Sequence, residues 1–123
     1  MATGEFLKVA AAQVRRASMV LKQEAKGMLS ERENTARRKS SNITDAQLKL
    51  RAKQIELNNP NKNEQEKQEV AKEADKLRQE IANEQREMQE ATQKLAQQAD
   101  KKQLQARKLD GRASELETQA NVL

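Results

Sequence analysis

A single proline divides this chain. Pro60 stands in the run Asn58-Asn59-Pro60-Asn61-Lys62-Asn63, close to the midpoint of 123 residues, and nothing else interrupts helix formation so decisively. It has no amide N–H to donate, its ring collides with the preceding turn of a helix, and it pushes Asn59 toward extended backbone. Asn58 is expected to end the first helix in the left-handed conformation that asparagine tolerates. Asn61 or Asn63 is expected to cap the second, with Glu64 or Glu66 near its positive end. Two arms, 4–57 and 64–121, joined by a turn over 58–63 predict an all-α fold. The expected object is one antiparallel helical hairpin of coiled-coil type, a single elongated domain over 1–123. Each arm would be about 85 Å long at ~1.5 Å per residue. A tight turn opposes residue i to roughly 119 − i.

Composition agrees. Hydrophobic and charged residues each make up 35% of the chain, and Phe6 is the only aromatic. The apolar share is mostly Ala and Leu, which suits long paired helices better than a layered core. The chain has no His and no Cys, so it lacks an imidazole proton shuttle, a thiolate nucleophile and the usual zinc ligands. A catalytic carboxylate needs a dry pocket to shift its pKa, and two paired helices build none. No enzymatic activity, catalytic residue, cofactor, metal or small-molecule substrate is expected. No run approaches the ~20 apolar residues of a membrane span, and no secretion signal is read at the N-terminus. The expectation is a soluble protein, intracellular or held within a particle or assembly.

The second arm carries the clearer seam. Val70, Ala74, Leu77, Ile81, Met88, Ala91 and Leu95 alternate steps of three and four, with Glu84 interrupting. Beyond Leu95 the stripe continues through Ala99, Ala106, Leu109, Ala113, Leu116, Ala120 and Leu123, and consecutive steps of four around Leu95 predict a stutter. In the first arm, residues 5–28 are strongly amphipathic, and Ile43, Ala46, Leu50 and Leu57 resume a stripe before the turn. Ser30–Asn42 between them is almost wholly polar, and Thr44-Asp45-Ala46-Gln47 resembles a capping box. A kink within 39–44 is therefore the alternative to an unbroken arm, which is favoured because Leu77, Ile81 and Met88 stand opposite.

Charge is uneven. Residues 29–56 carry a net +3 and face residues 64–90 with a net −4, which favours this pairing. Residues 7–29 and 91–112 each carry +4, so the open end of the hairpin is expected to gather cations. Lys8, Arg15, Arg16, Lys22, Lys26, Lys101, Lys102, Arg107, Lys108 and Arg112 are the candidate contacts to an acidic partner.

Along the N-terminal helix, Phe6, Leu7, Val9, Ala10, Val14, Ala17, Val20, Leu21 and Met28 fill an arc of roughly 160° at 100° per residue. That is wider than a two-helix seam can cover. Phe6, Leu7, Val9, Val14, Val20, Leu21 and Met28, with Leu109, Leu116 and Leu123, are therefore candidate packing residues for a protein partner or a second copy. The resulting expectation is a structural or assembly protein: a coiled-coil spacer, scaffold or adaptor that oligomerises or docks in a larger complex. Structural parts of phages and viruses and the stalks of secretion systems share this architecture, although no motif ties the chain to a family. The alternatives are a basic rod that associates with nucleic acid without sequence preference, and peripheral membrane binding through the basic amphipathic helix 5–28. The first lacks aromatics for base stacking, and the apolar face needed for the second is largely Ala. Arg15-Arg16-Ala17-Ser18 and Arg37-Arg38-Lys39-Ser40-Ser41 also fit the pattern favoured by basophilic kinases.

Overall fold

The computed structural model describes residues 2–122. Helix α1 (Ala2–Leu57) and helix α2 (Glu64–Val122) pack against each other as an all-α helical hairpin. Leu123, one of the expected packing residues, lies outside the described residues.

The turn forms without a left-handed residue. No non-glycine residue among those described has positive φ, so Asn58 does not adopt the conformation expected of it. The last turn of α1 tightens instead: the Asn58 and Asn59 amides donate to the Ile55 and Glu56 carbonyls at 3.2 and 3.1 Å. Pro60 follows, and the Asn59 side-chain oxygen accepts the Asn61 amide at 3.0 Å. Asn63 is the cap of α2. Its Oδ1 accepts the Glu66 amide at 2.8 Å, and its side-chain amide donates to the Glu66 carboxylate at 3.1 Å. This reciprocal arrangement satisfies helix-end donors that would otherwise lack partners.

Helix α1 runs without a break through 39–44. The Thr44 hydroxyl, read from sequence as a cap, donates to the Ser40 carbonyl at 2.9 Å inside the continuing helix.

Contacts divide the chain into two compact units, one formed by Met1–Arg32 with Lys94–Leu123 and the other by Glu33–Gln93. In the first, hereafter the terminal unit, the helices meet along lines of small residues. Ala11, Ser18 and Ala25 on α1 are no more than 1% exposed, as are Ala99, Ala106 and Ala113 on α2. The Ser18 hydroxyl donates to the Ala106 carbonyl at 3.1 Å, and Gly4 lies beside the Ala120 carbonyl. In both pairs the residue numbers total 124, so the register lies about five residues from the expected 119.

In the second unit, hereafter the turn unit, the seam is made of larger side chains. Ile43, Ala46, Val70 and Ala74 are buried, and Leu50, Leu57, Leu77 and Ile81 are half-buried. Full burial of a branched side chain stabilises by about 1.5–3 kcal/mol, against ~0.8 kcal/mol for a methyl-sized increment. The terminal unit therefore depends on large residues flanking its small seam: Leu7, Ala10 and Val14 pack on the cluster of Ala11, Ala113 and Leu116. The stutter is present in α2, where Ala91, Leu95 and Ala99 are half-buried or buried at successive steps of four. Helix α1 makes the matching four-residue step from Ala25 to Leu29, which the sequence reading missed.

Candidate partner-binding surface

The two sides of the terminal unit differ, and helix phase explains the difference. Relative to the seam residues Gly4, Ala11, Ser18 and Ala25, positions three residues on fall about 60° to one side and positions four residues on about 40° to the other. The first set is Leu7, Val14, Leu21 and Met28, all half-buried. The second includes Lys8, Arg15 and Lys22. Helix α2 follows the same rule, with Lys102, Leu109 and Leu116 on the first side and Asp110 and Glu117 on the second. Contacts agree with this division. Arg15 grips Glu117 with two hydrogen bonds of 2.6 and 3.1 Å, and Lys22 meets Asp110 at 2.7 Å. On the other side, Met28 shares an open groove of about 310 Å³ with Gln98, Lys101, Lys102 and Gln105.

The expected packing residues therefore separate into two groups. Leu7, Val14, Leu21, Met28, Leu109 and Leu116 contribute to packing within the hairpin, and only Leu116 among them is buried, at 7% exposure. Phe6, Val9 and Val20 remain exposed at 71%, 57% and 53%. Three further residues, absent from the sequence reading, join them in this unit: Met19, Leu104 and Val122. In the turn unit, Leu48 and Ile55 are exposed seven residues apart on α1. The alternation of Leu48, Gln47 and Lys49 hides them from a search for stripes, yet their spacing puts both on one outward line.

The expected cationic end requires a correction. Windows 7–29 and 91–112 leave out Glu31, Glu115 and Glu117, and the whole terminal unit carries 12 basic and 7 acidic side chains, a net +5. Four of the ten candidate cations have acidic neighbours in their own chain. Arg15 pairs with Glu117, Lys22 with Asp110, Lys102 with Glu24 at 2.6 Å, and Arg112 with Glu115 at 3.3 Å. Arg15 holds the Glu117 carboxyl below its ordinary pKa, and Lys22 does the same for Asp110. Arg16, Lys26, Lys101, Arg107 and Lys108 are exposed and form no ion pair among the described residues. Lys8 is exposed on the groove it shares with Ala12, Arg15, Glu117 and Asn121.

The turn unit shows why Glu84 interrupts the seam. Lys39, whose side chain is 17% exposed, lies between Glu84 at 3.0 Å and Glu87 at 2.8 Å. The contact to Glu84 is electrostatic rather than a well-aligned hydrogen bond, since that oxygen is buried without one. Glu87, then Glu84, raise the Lys39 pKa. Lys53 pairs with Glu73 about four turns nearer the bend. These interhelical pairs are where the opposite net charges of the facing segments meet.

The kinase motif around Ser18 is closed in the fold. Ser18 is fully buried and its hydroxyl is engaged with α2, so no kinase reaches it without opening the hairpin. Among the described residues there is no group of carboxylates that could hold a metal ion and no helix long and apolar enough to cross a membrane. No family model matches this chain, and no curated protein or solved structure matches it either.

Proposed function

We propose that this chain is a non-enzymatic structural part, a coiled-coil hairpin acting as spacer, scaffold or adaptor, whose terminal unit packs into a protein assembly. One observation carries the reading: a unit only two helices thick leaves Phe6, Val9, Met19, Val20, Leu104 and Val122 at least half exposed. Among them Phe6, Val9 and Val20 fall within about 60° of one another by helix phase, and large apolar side chains sharing a line in this way mark surfaces that other proteins cover. A membrane would require them on one face, whereas by helix phase Met19 and Phe6 lie on opposite sides of α1. Nucleic acid would require clustered cations free to meet phosphates, and four of the ten candidates already have carboxylate neighbours.

The test is sedimentation of a tagged chain in extract from its own cells. The wild-type chain is expected to travel with a particle far larger than 14.0 kDa. A Phe6→Asp/Val9→Asp/Val20→Asp variant, changed only at exposed positions, is expected to remain near the top of the gradient. Wild-type chain that also remains there, or a particle destroyed by nuclease or detergent, would overturn the reading.

A further inference from the structure

The apolar side of the terminal unit is chemically asymmetric in a way that matches a second copy of itself. Between residues 3 and 31 of α1, no Lys or Arg lies on that side; its outer edge carries Ala10, Ala17, Glu24 and Glu31. The same side of α2 carries Lys102 beside the seam, Gln98, Gln105 and Arg112 farther out, and Lys94, Lys101 and Lys108 along its rim, where Glu115, paired with Arg112, is the one acid. One edge thus lacks cations and the other is rich in them.

We infer that two copies associate face to face through this side, with α2 of each lying antiparallel over α1 of the other. The inference rests on the assembly reading above and names its first partner. A two-fold axis parallel to the helices keeps each residue of α1 level with the α2 residue whose number completes 124, now in the second copy. Glu31 then comes beside Lys94 of the second copy, and Glu24, which already holds Lys102 of its own chain at 2.6 Å, comes beside Lys101. Placing α1 over α1 would instead bring the two cationic edges together on α2.

Area also favours a two-helix occupant. Leu7 to Met28 spans about 32 Å at ~1.5 Å per residue, and two helices side by side are about 20 Å wide. Covering that face buries about 1,300 Å² over both copies, just inside the ~1,200–2,000 Å² of stable interfaces, whereas a lone helix would bury about half as much. The occupant must therefore be a pair of helices, and this chain supplies one with complementary edges. Leu7, Val14, Leu21 and Leu109, half-buried in the hairpin, then come to the centre of a four-helix packing.

Sedimentation equilibrium of the purified full chain tests this at 5–100 µM, a range set to about the affinity expected of an interface at the small end of the stable class. The expected result is a monomer–dimer equilibrium. Ala17→Arg adds a cation level with Lys108 and should weaken dimerisation at least ~10-fold, while Ala17→Glu should not weaken it. Gln23→Arg, at an exposed position on the other side of the same helix, should have no effect. Helical circular dichroism verifies that each variant keeps its hairpin. Orientation is tested in the same cysteine-free chain: mixing Ala17→Cys and Gln105→Cys proteins under mild oxidation should give a disulfide-linked heterodimer, and neither alone should do so. A monomer throughout the range, a dimer weakened by Gln23→Arg but not by Ala17→Arg, or cross-linking of Ala17→Cys alone would overturn the inference. A purified monomer whose tagged form still sediments with a large particle in cell extract would reject the self-association while leaving the assembly reading intact.

Discussion

Ser18 shows how little room the terminal unit has. It sits between α1 and α2 with no exposure, and its hydroxyl reaches the Ala106 carbonyl. Ser18→Ala removes one hydrogen bond while keeping the shape, and should cost about 0.5–1.5 kcal/mol. Ser18→Leu has to push the helices apart and should cost about 1–3 kcal/mol, the typical penalty of overpacking. Thermal melts followed by circular dichroism should rank the chains wild type, Ser18→Ala, Ser18→Leu; equal melting of the two variants would show that the seam is loose. Acid acts at other single residues. Asp110, Glu87, Glu73 and Glu117 have folded pKa values below their ordinary 3.8 or 4.5, each chiefly through a hydrogen bond to its basic partner. A carboxylate with a depressed folded pKa adds stability above its unfolded value and loses it as pH falls through the folded one. The melting midpoint should therefore be flat from about pH 6 to 9 and fall below about pH 4.5. The fall should be accompanied by the repulsion of 24 cations left without counter-charges.

At the scale of the helix, glycine provides a direct experiment. A side chain built at Gly27 or Gly111 would meet nothing within 4 Å, and neither residue has positive φ. Both positions therefore pay the conformational entropy of glycine without using its freedom. Gly27→Ala and Gly111→Ala should each stabilise by about 0.5–1 kcal/mol, and being on different helices with no shared contact they should add. Denaturant titration of both single variants and the double variant measures this; a loss at either site would mean that another chain approaches the backbone there. The α2 seam was legible in sequence because its buried residues are also its apolar ones. The α1 seam was not, because hydrophobicity weights large side chains whereas close helix approach selects small ones. The apolar arc is centred between Phe6 and Leu21, yet the helix buries the line through Ala11, Ser18 and Ala25, at or beyond the arc's edge. Lys39, nearly buried within a polar stretch, was hidden for a related reason: only its carboxylate partners on the other helix make its burial tolerable.

For the chain as a whole, Pro60 and the asparagines around it made the hairpin legible, since few residues can interrupt 56- and 59-residue helices. Register was misjudged because a sequence marks where the turn lies but not how two helices slide past each other, which the close approach of Ser18 to Ala106 and of Gly4 to Ala120 sets. Charge summed over windows likewise overstated the cationic end, because pairing joins residues about a hundred positions apart, as Arg15 and Glu117 do. The contact between Gly4 and the Ala120 carbonyl, 3.6 Å from where a Cβ would sit, has one more consequence. Covalent order and spatial neighbourhood are separable in this protein: a short linker can join the strand of chain before Gly4 to that after Ala120, and a cut between Asn59 and Pro60 can supply new ends. Such a circular permutant should retain the wild-type helical signal and melt within a few degrees of it. The exposed bend between Leu57 and Glu64 would then be a seat for inserted cargo rather than a hinge that the fold requires.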